Sequence, residues 1–215
     1  MKLYIGNKNY SSWSLRVWLT LRMHNIEFEE ILRPFDVEND FADYFEFSPS
    51  GKVPALEDGT LRVWESLAIL EYVAERFPDR PLWPDDLPAR TYGRSIAHEI
   101  HGGFGALRAA CPMNMRRRIE TVPIDATVRK DIARIESIWT EALSIHGGPF
   151  LLGDTFSIAD GMYAPVVNRL QVYALSDSDV VARYIETVSS TSLWREWADA
   201  ARAESWVVEI DEVYA

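Results

Sequence analysis

Two short runs rich in apolar side chains, KLYI at 2–5 and FEEIL at 28–32, flank a segment at 13–23 that is too long and too apolar to be a loop. The pattern predicts strand, helix, strand, and a crossover of that length makes the two strands parallel and the connection right-handed. A charged stretch at 36–47 reads as a short irregular helix. VPALE and LRVW then flank Asp58 and Gly59, a dipeptide whose tolerance of positive φ predicts a tight antiparallel hairpin. A helix follows at 65–76, with Leu67, Leu70, Val73, Ala74 and Phe77 recurring at helical spacing.

The resulting order, β-α-β-α-β-β-α, is that of a thioredoxin-like α/β domain. After Phe77 the texture changes: Pro78, Pro81, Pro84 and Pro88 punctuate an extended, stiff connector. The expected division is residues 1–78 for the first domain, 79–88 for a linker and 89–215 for the second, where no strand-like alternation recurs. Ile132, Ile135, Trp139 and Leu143 mark one apolar helix face, and 97–110, 158–172, 179–187 and 193–203 read as further helices, so the second domain is expected to be all-α. In FSIADGMY, Ser157 and Asp160 have the spacing of a capping box, with Phe156 and Gly161 placed for a hydrophobic staple and a close helix contact.

Composition narrows the function. With 215 residues, 47% of them hydrophobic, the chain is long enough for a well-buried core. A formal charge of -11 argues against nucleic acid, whose binding draws on lysines and arginines to release counterions. The single cysteine, Cys111, forms no internal disulfide, and no apolar run reaches signal-peptide or membrane-spanning length, so the expected location is cytoplasmic and away from the membrane.

The candidate chemistry begins at NYSSWSLR. Ser11, Ser12 and Ser14 sit at an expected helix start, where a serine caps a free amide for roughly 1 kcal/mol. A hydroxyl there, beside the end of a parallel strand, also favours an anion, because the first-turn amides and the helix dipole do so already. Val53-Pro54 opens an expected strand, and a cis bond at that proline would leave the preceding backbone free to pair with an extended ligand. Glu65 and Ser66 stand at the next helix start, suited to an ammonium and a carboxylate respectively. Together these groups describe a site for an extended peptide with an amino-acid head and a thiol, which is glutathione.

SPSGKVPALED with WESLAIL after it, LLGDTFSIADGMYAPVV, and the order of the domains resemble the cytosolic glutathione transferase superfamily along essentially the whole chain. NYSSWSLRVWL is similar to the SSCSWRVR-type motif of zeta-class enzymes, with Trp13 where those have cysteine. The resemblance implies a thioredoxin-like glutathione domain, an all-α domain carrying much of the acceptor site, glutathione as cosubstrate, a small electrophile and a homodimer. It makes Ser11, five residues before Arg16, the catalytic hydroxyl that donates to the glutathione sulfur, with Ser12 as the alternative. Such a bond to a charged acceptor is worth roughly 1.5 to 3 kcal/mol and lowers the thiol pKa by about one to two units. Val53 would pair with the cysteinyl unit, Pro54 would be the cis proline, Glu65 and Ser66 would hold the γ-glutamyl head, and Lys52 is a candidate for the glycyl carboxylate. With no cysteine in NYSSWSLR, reductase chemistry through an enzyme thiol lacks its nucleophile, and Cys111 beside Pro112 reads as a buried structural thiol.

In HEIHGGFGALRAACPMNMRRR, Gly102, Gly103 and Gly105 interrupt a helical pattern at about 1 kcal/mol each against alanine, which implies that something comes close there. His101, Phe104 and Arg108, at helical spacing, are expected to line the acceptor pocket with Trp13, Met113 and Asn114. Arg116 to Arg118 would attract an acidic substrate or form a solvated helix end. His98 and His101 lack HExxH spacing and a third ligand, so no metal is expected. Three functions fit the pattern: a transferase adding glutathione thiolate to small electrophiles, with some glutathione-dependent peroxidase activity; a zeta-type isomerase, whose thiolate adds to and then leaves one substrate; and a non-catalytic interaction module on the same fold.

Overall fold

The computed structural model describes residues 1–35 and 41–214. The helix expected at 36–47 begins outside the described residues; its later part is a short 3-10 turn, Ala42–Glu46. Strands β1 (Lys2–Ile5), β2 (Glu29–Leu32), β3 (Ala55–Asp58) and β4 (Leu61–Trp64) form one sheet in the order β2-β1-β3-β4. The β1–β2 pair is parallel, as the intervening helix α1 (Ser12–Met23) requires, and β1–β3 and β3–β4 are antiparallel. The hairpin turns one residue later than the sequence suggests. Asp58 pairs with Leu61, and Gly59 takes φ 60° as the first central residue while Thr60 stays at negative φ, the arrangement of a type II′ turn.

Helix α2 (Ser66–Arg76) closes the sheet domain, and six helices follow: α3 (Leu87–Gly102), α4 (Gly105–Ala110), α5 (Ala126–His146), α6 (Ile158–Val172), α7 (Asp179–Ser189) and α8 (Ser192–Ala203). Side chains of Asp86, Asp125, Ser178 and Thr191 cap α3, α5, α7 and α8, satisfying amides that no turn of helix can reach. The single helix expected at 97–110 is two. It breaks at Phe104, which sits at φ 58°, a left-handed conformation that no continuing helix tolerates. The glycines around the break do not mark a close approach by another element. A Cβ at Gly102 or Gly105 would meet nothing within 4 Å, and one at Gly103 would meet the Glu99 carbonyl oxygen of its own preceding turn at 2.6 Å.

Every residue of α6 except Gln171 is buried, so α6 is the axis of the helical part. Its start is fixed by Asp160, which accepts from the Ser157 amide and hydroxyl, the Leu151 amide and the Tyr184 hydroxyl at 2.7 to 2.9 Å. One continuous core joins the sheet domain to the helices: Trp18 of α1 meets Trp197 of α8 with ring centroids 5.1 Å apart. Helix α1 lies directly on α6 at Gly161, where an added Cβ would stand 1.9 Å from the Thr20 hydroxyl and 3.2 Å from the Arg16 carbonyl. The tail beyond α8 folds back along the loop that leads into α1. The Glu204 carboxylate accepts the Lys8 and Asn9 amides, and Glu212 accepts from the Tyr10 hydroxyl and the Asn114 side chain.

Gly161→Ala is expected to destabilise the protein by about 1 to 3 kcal/mol through overpacking of α1 on α6. Adding Thr20→Ala should return part of that loss, and equilibrium denaturation of the single and double variants measures both.

Candidate functional site

The first residues of α1 form one corner of the site. Ser11 is the N-cap residue, yet its hydroxyl caps no amide; it donates to Ser14 Oγ at 2.7 Å. Ser14 Oγ in turn accepts from the Gly6 amide at 3.1 Å, tying the end of β1 to the first turn of α1. The serines therefore do not cap this helix by side chain, contrary to the simplest sequence reading. Ser12, one position on, has a hydroxyl with no partner among the described residues.

Ser11, Ser12 and Trp13 face a cleft of about 840 Å³, opposite Lys52 and Val53 from the segment before β3, with Arg108 of α4 on a third side. A side pocket of about 170 Å³ shares Trp13, Lys52, Val53 and Arg108 and adds Pro54, Glu65 and Ser66. The structure thus distributes all seven residues expected at a glutathione site over two pockets that share Lys52 and Val53. Val53-Pro54 is cis. Val53 precedes β3 rather than opening it, and its backbone makes no hydrogen bond to any described residue. Glu65, at φ 68°, ψ 124°, turns the chain into α2 without capping it by side chain, so the first-turn amides beside Ser66 stay available to an anion. Among the described residues no cluster of three His, Cys, Asp or Glu side chains is arranged to hold a metal ion.

Two family models match the chain: the glutathione S-transferase N-terminal domain over residues 10–76 and the glutathione S-transferase C-terminal domain over residues 99–201. The chain belongs to the glutathione S-transferase superfamily. It is similar to glutathione S-transferase 1 of Dianthus caryophyllus, 26% identical over 78% of this chain and 76% of that one. A probable maleylacetoacetate isomerase of Caenorhabditis elegans is 29% identical over 87% of both chains. Among solved structures, a glutathione transferase homologue from Burkholderia with bound glutathione superposes with a TM-score of 0.71 at 22% identity, covering 94% of this chain and 98% of that one.

In this superfamily member the expected acceptor residues divide. Trp13, Arg108 and Met113 line the cleft. Phe104 does not; it is buried in the core at the head of α4. Asn114 does not either: it is buried and committed to Glu212 and to the Arg116 amide. His101 lies behind the cleft wall, edge-on to Trp13 with centroids 5.3 Å apart and Nε2 3.9 Å from Glu65. Arg116 and Arg117 hold the tail through carbonyls of Glu204, Trp206 and Val213 rather than facing a substrate. Among the cleft residues that the sequence does not point to are Tyr10, Pro112, Arg169 and Asp211. Only Arg169 carried a readable signal, as the one cation in a helix that is otherwise nearly all apolar.

Burial shapes the titrations around the cleft. Arg16 is 1% exposed, donates Nε to the Met162 carbonyl at 3.0 Å and stacks 3.9 Å from the centre of the Trp13 ring. Burial, with Arg169 and Arg108 nearby, holds its pKa well below the usual guanidinium range. Burial also lowers His101, with Arg16 adding to the effect, which favours the neutral imidazole. Cys111 is fully buried, and that burial pushes its thiol up to about 11.

At pH 8 iodoacetamide is expected to alkylate Cys111 about a hundredfold more slowly in the native protein than in the unfolded chain, because thiolate is scarce and enclosed; mass spectrometry over time reads the rate. Ser14→Ala orphans the Gly6 amide and should cost about 1 to 3 kcal/mol in denaturant unfolding.

Proposed function

We propose that the protein is a cytosolic, homodimeric glutathione transferase in which a hydroxyl at the start of α1 holds the glutathione sulfur as thiolate for attack on a small electrophile. The observation that carries this reading is that the pocket of Ser11 and Ser12 and the pocket of Ser66 share Trp13, Lys52 and Val53. In this arrangement the Val53 backbone pairs with the cysteinyl unit, leaving its thiol before α1. The uncapped start of α2 takes the γ-glutamyl carboxylate, Glu65 takes its ammonium and Lys52 takes the glycyl carboxylate. The thiolate gains from the hydroxyl and from the positive end of α1, since both interact more strongly with the anion than with the thiol.

Ser11 is the activator by its position five residues before Arg16. Its proton points at Ser14 in the free protein, so activation requires the hydroxyl to rotate toward the sulfur. Ser12 is the second reading, favoured by its unpartnered hydroxyl. Trp13, in place of a cysteine, gives the electrophile an apolar wall beside the sulfur and leaves no enzyme thiol there for mixed-disulfide exchange. Likeness to the nematode isomerase supports a second outcome at the same site, in which the thiolate adds to a cis double bond, rotation follows, and the thiolate leaves again.

Calorimetric titration with glutathione and the pH dependence of thiolate absorbance in the complex test the reading. The activating serine, replaced by alanine, is expected to raise the bound thiol pKa by about one to two units and to lower kcat/KM for 1-chloro-2,4-dinitrobenzene about ten- to hundredfold at neutral pH. The other serine should change both far less. Unaltered ionisation in both Ser11→Ala and Ser12→Ala, or no glutathione binding by the wild-type protein, removes the serine-activated transferase.

A further inference from the structure

Two guanidinium groups on the cleft wall have no part in the glutathione site described above. The Arg108 guanidinium makes no hydrogen bond and no ion pair with any described residue, and its carbon lies 4.7 Å from the centre of the Trp13 ring. Arg169 is 4% exposed, donates Nε to the Cys111 carbonyl at 2.9 Å and leaves Nη1 with no partner. Both line the large cleft, whereas only Arg108 also borders the side pocket of Glu65 and Ser66. The one carboxylate on the large cleft's described wall is Asp211, and it forms no ion pair with either arginine among the described residues. Arg16, stacked on Trp13, adds a further cation without a carboxylate partner, and it is buried as Arg169 is.

An unpaired guanidinium in a desolvated wall is costly, and removing its partner from such a pair typically costs several kcal/mol. Here the folded chain carries that cost at Arg169, whose Nη1 is buried without a partner beside a cleft that both arginines line. A bound carboxylate would relieve it through charge-assisted hydrogen bonds, and guanidinium is the side-chain group whose donors match both oxygens at once. Asp211 shares that wall; its burial raises its own pKa, although Arg169 pulls the other way.

We propose that the acceptor half of the cleft is a carboxylate subsite, so that the electrophile is itself an organic acid, held by Arg169 and Arg108 with its reactive carbon toward Ser11 and Ser12. The proposal rests on the transferase reading for what the acid does but not for whether it binds. Glutathione brings two carboxylates of its own, and Arg169 separates the sources because it is absent from the side pocket.

Calorimetry with glutathione, S-benzylglutathione and S-(4-carboxybenzyl)glutathione tests it on the intact protein. The wild-type protein is expected to bind the carboxybenzyl conjugate about tenfold more tightly than the benzyl conjugate. Arg169→Gln should erase that preference while leaving glutathione affinity within about twofold, and Arg169→Lys should keep part of it. Should Arg169→Gln fail to fold, Arg108→Gln, which breaks no hydrogen bond, must reduce the preference in its place. Equal binding of the two conjugates by the wild-type protein overturns the proposal. So does an equal loss of all three ligands in folded Arg169→Gln, since the guanidinium would then hold a carboxylate of glutathione. If none of the three binds the wild-type protein, the transferase reading fails by itself, and 4-nitrobenzoate alone decides the subsite: binding lost in Arg169→Gln supports it, and no binding overturns it.

Discussion

The cleft depends on how closely α1 can lie against α6, because one wall belongs to the first helix and Arg169 to the second. Two long helices normally keep side chains between their axes. Gly161 removes one of them at the point of contact, so the Arg16 carbonyl and the Thr20 hydroxyl fill the space a methyl would occupy. Arg16 then returns a hydrogen bond to the Met162 carbonyl, the next residue along α6. Packing and hydrogen bonding thereby act at one place, and the serine corner is held in fixed register to the acceptor wall. Without that register the start of α1 would face no defined partner surface.

The charge distribution works at two ranges. Over the whole chain the formal charge is -11, which repels anions at distances that salt screens within about 10 Å. Inside the cleft Arg108 and Arg169 stand on the wall with Lys52 and Asp211, and Trp13 stacks on Arg16 and Arg108. An anion entering this cleft therefore meets local guanidinium charge despite the chain's negative total, a contrast that net charge alone conceals.

Much of this was legible in the chain, and the reasons are local. The sequence marks α6 over its full span, because Ser157 and Asp160 signal its start chemically and apolar residues dominate from there to Val172. The hairpin was misplaced by a single residue because Asp58-Gly59 and Gly59-Thr60 both accommodate a tight turn, and only cross-strand pairing decides between them. The break at Phe104 was hidden for the opposite reason: a bulky residue at positive φ contradicts its own local preference, so only tertiary packing explains it. Phe104 and Asn114 looked like pocket residues by spacing, but spacing gives a helix face and not what that face meets. Arg169 and Asp211 come from segments far apart in sequence, and nothing short of the fold brings them to one wall.

The tail is more than a finishing strand of coil. Through Glu204 and Glu212 it grips the loop from Lys8 to Tyr10, whose next residue is Ser11, while Asp211 between them faces the cleft. The same few residues thus act as a brace for the thiol end and as part of the surface an acceptor meets. Variation in this tail would be felt at both ends together, so lineages drifting in acceptor preference would be expected to alter the tail and the loop in concert rather than one at a time.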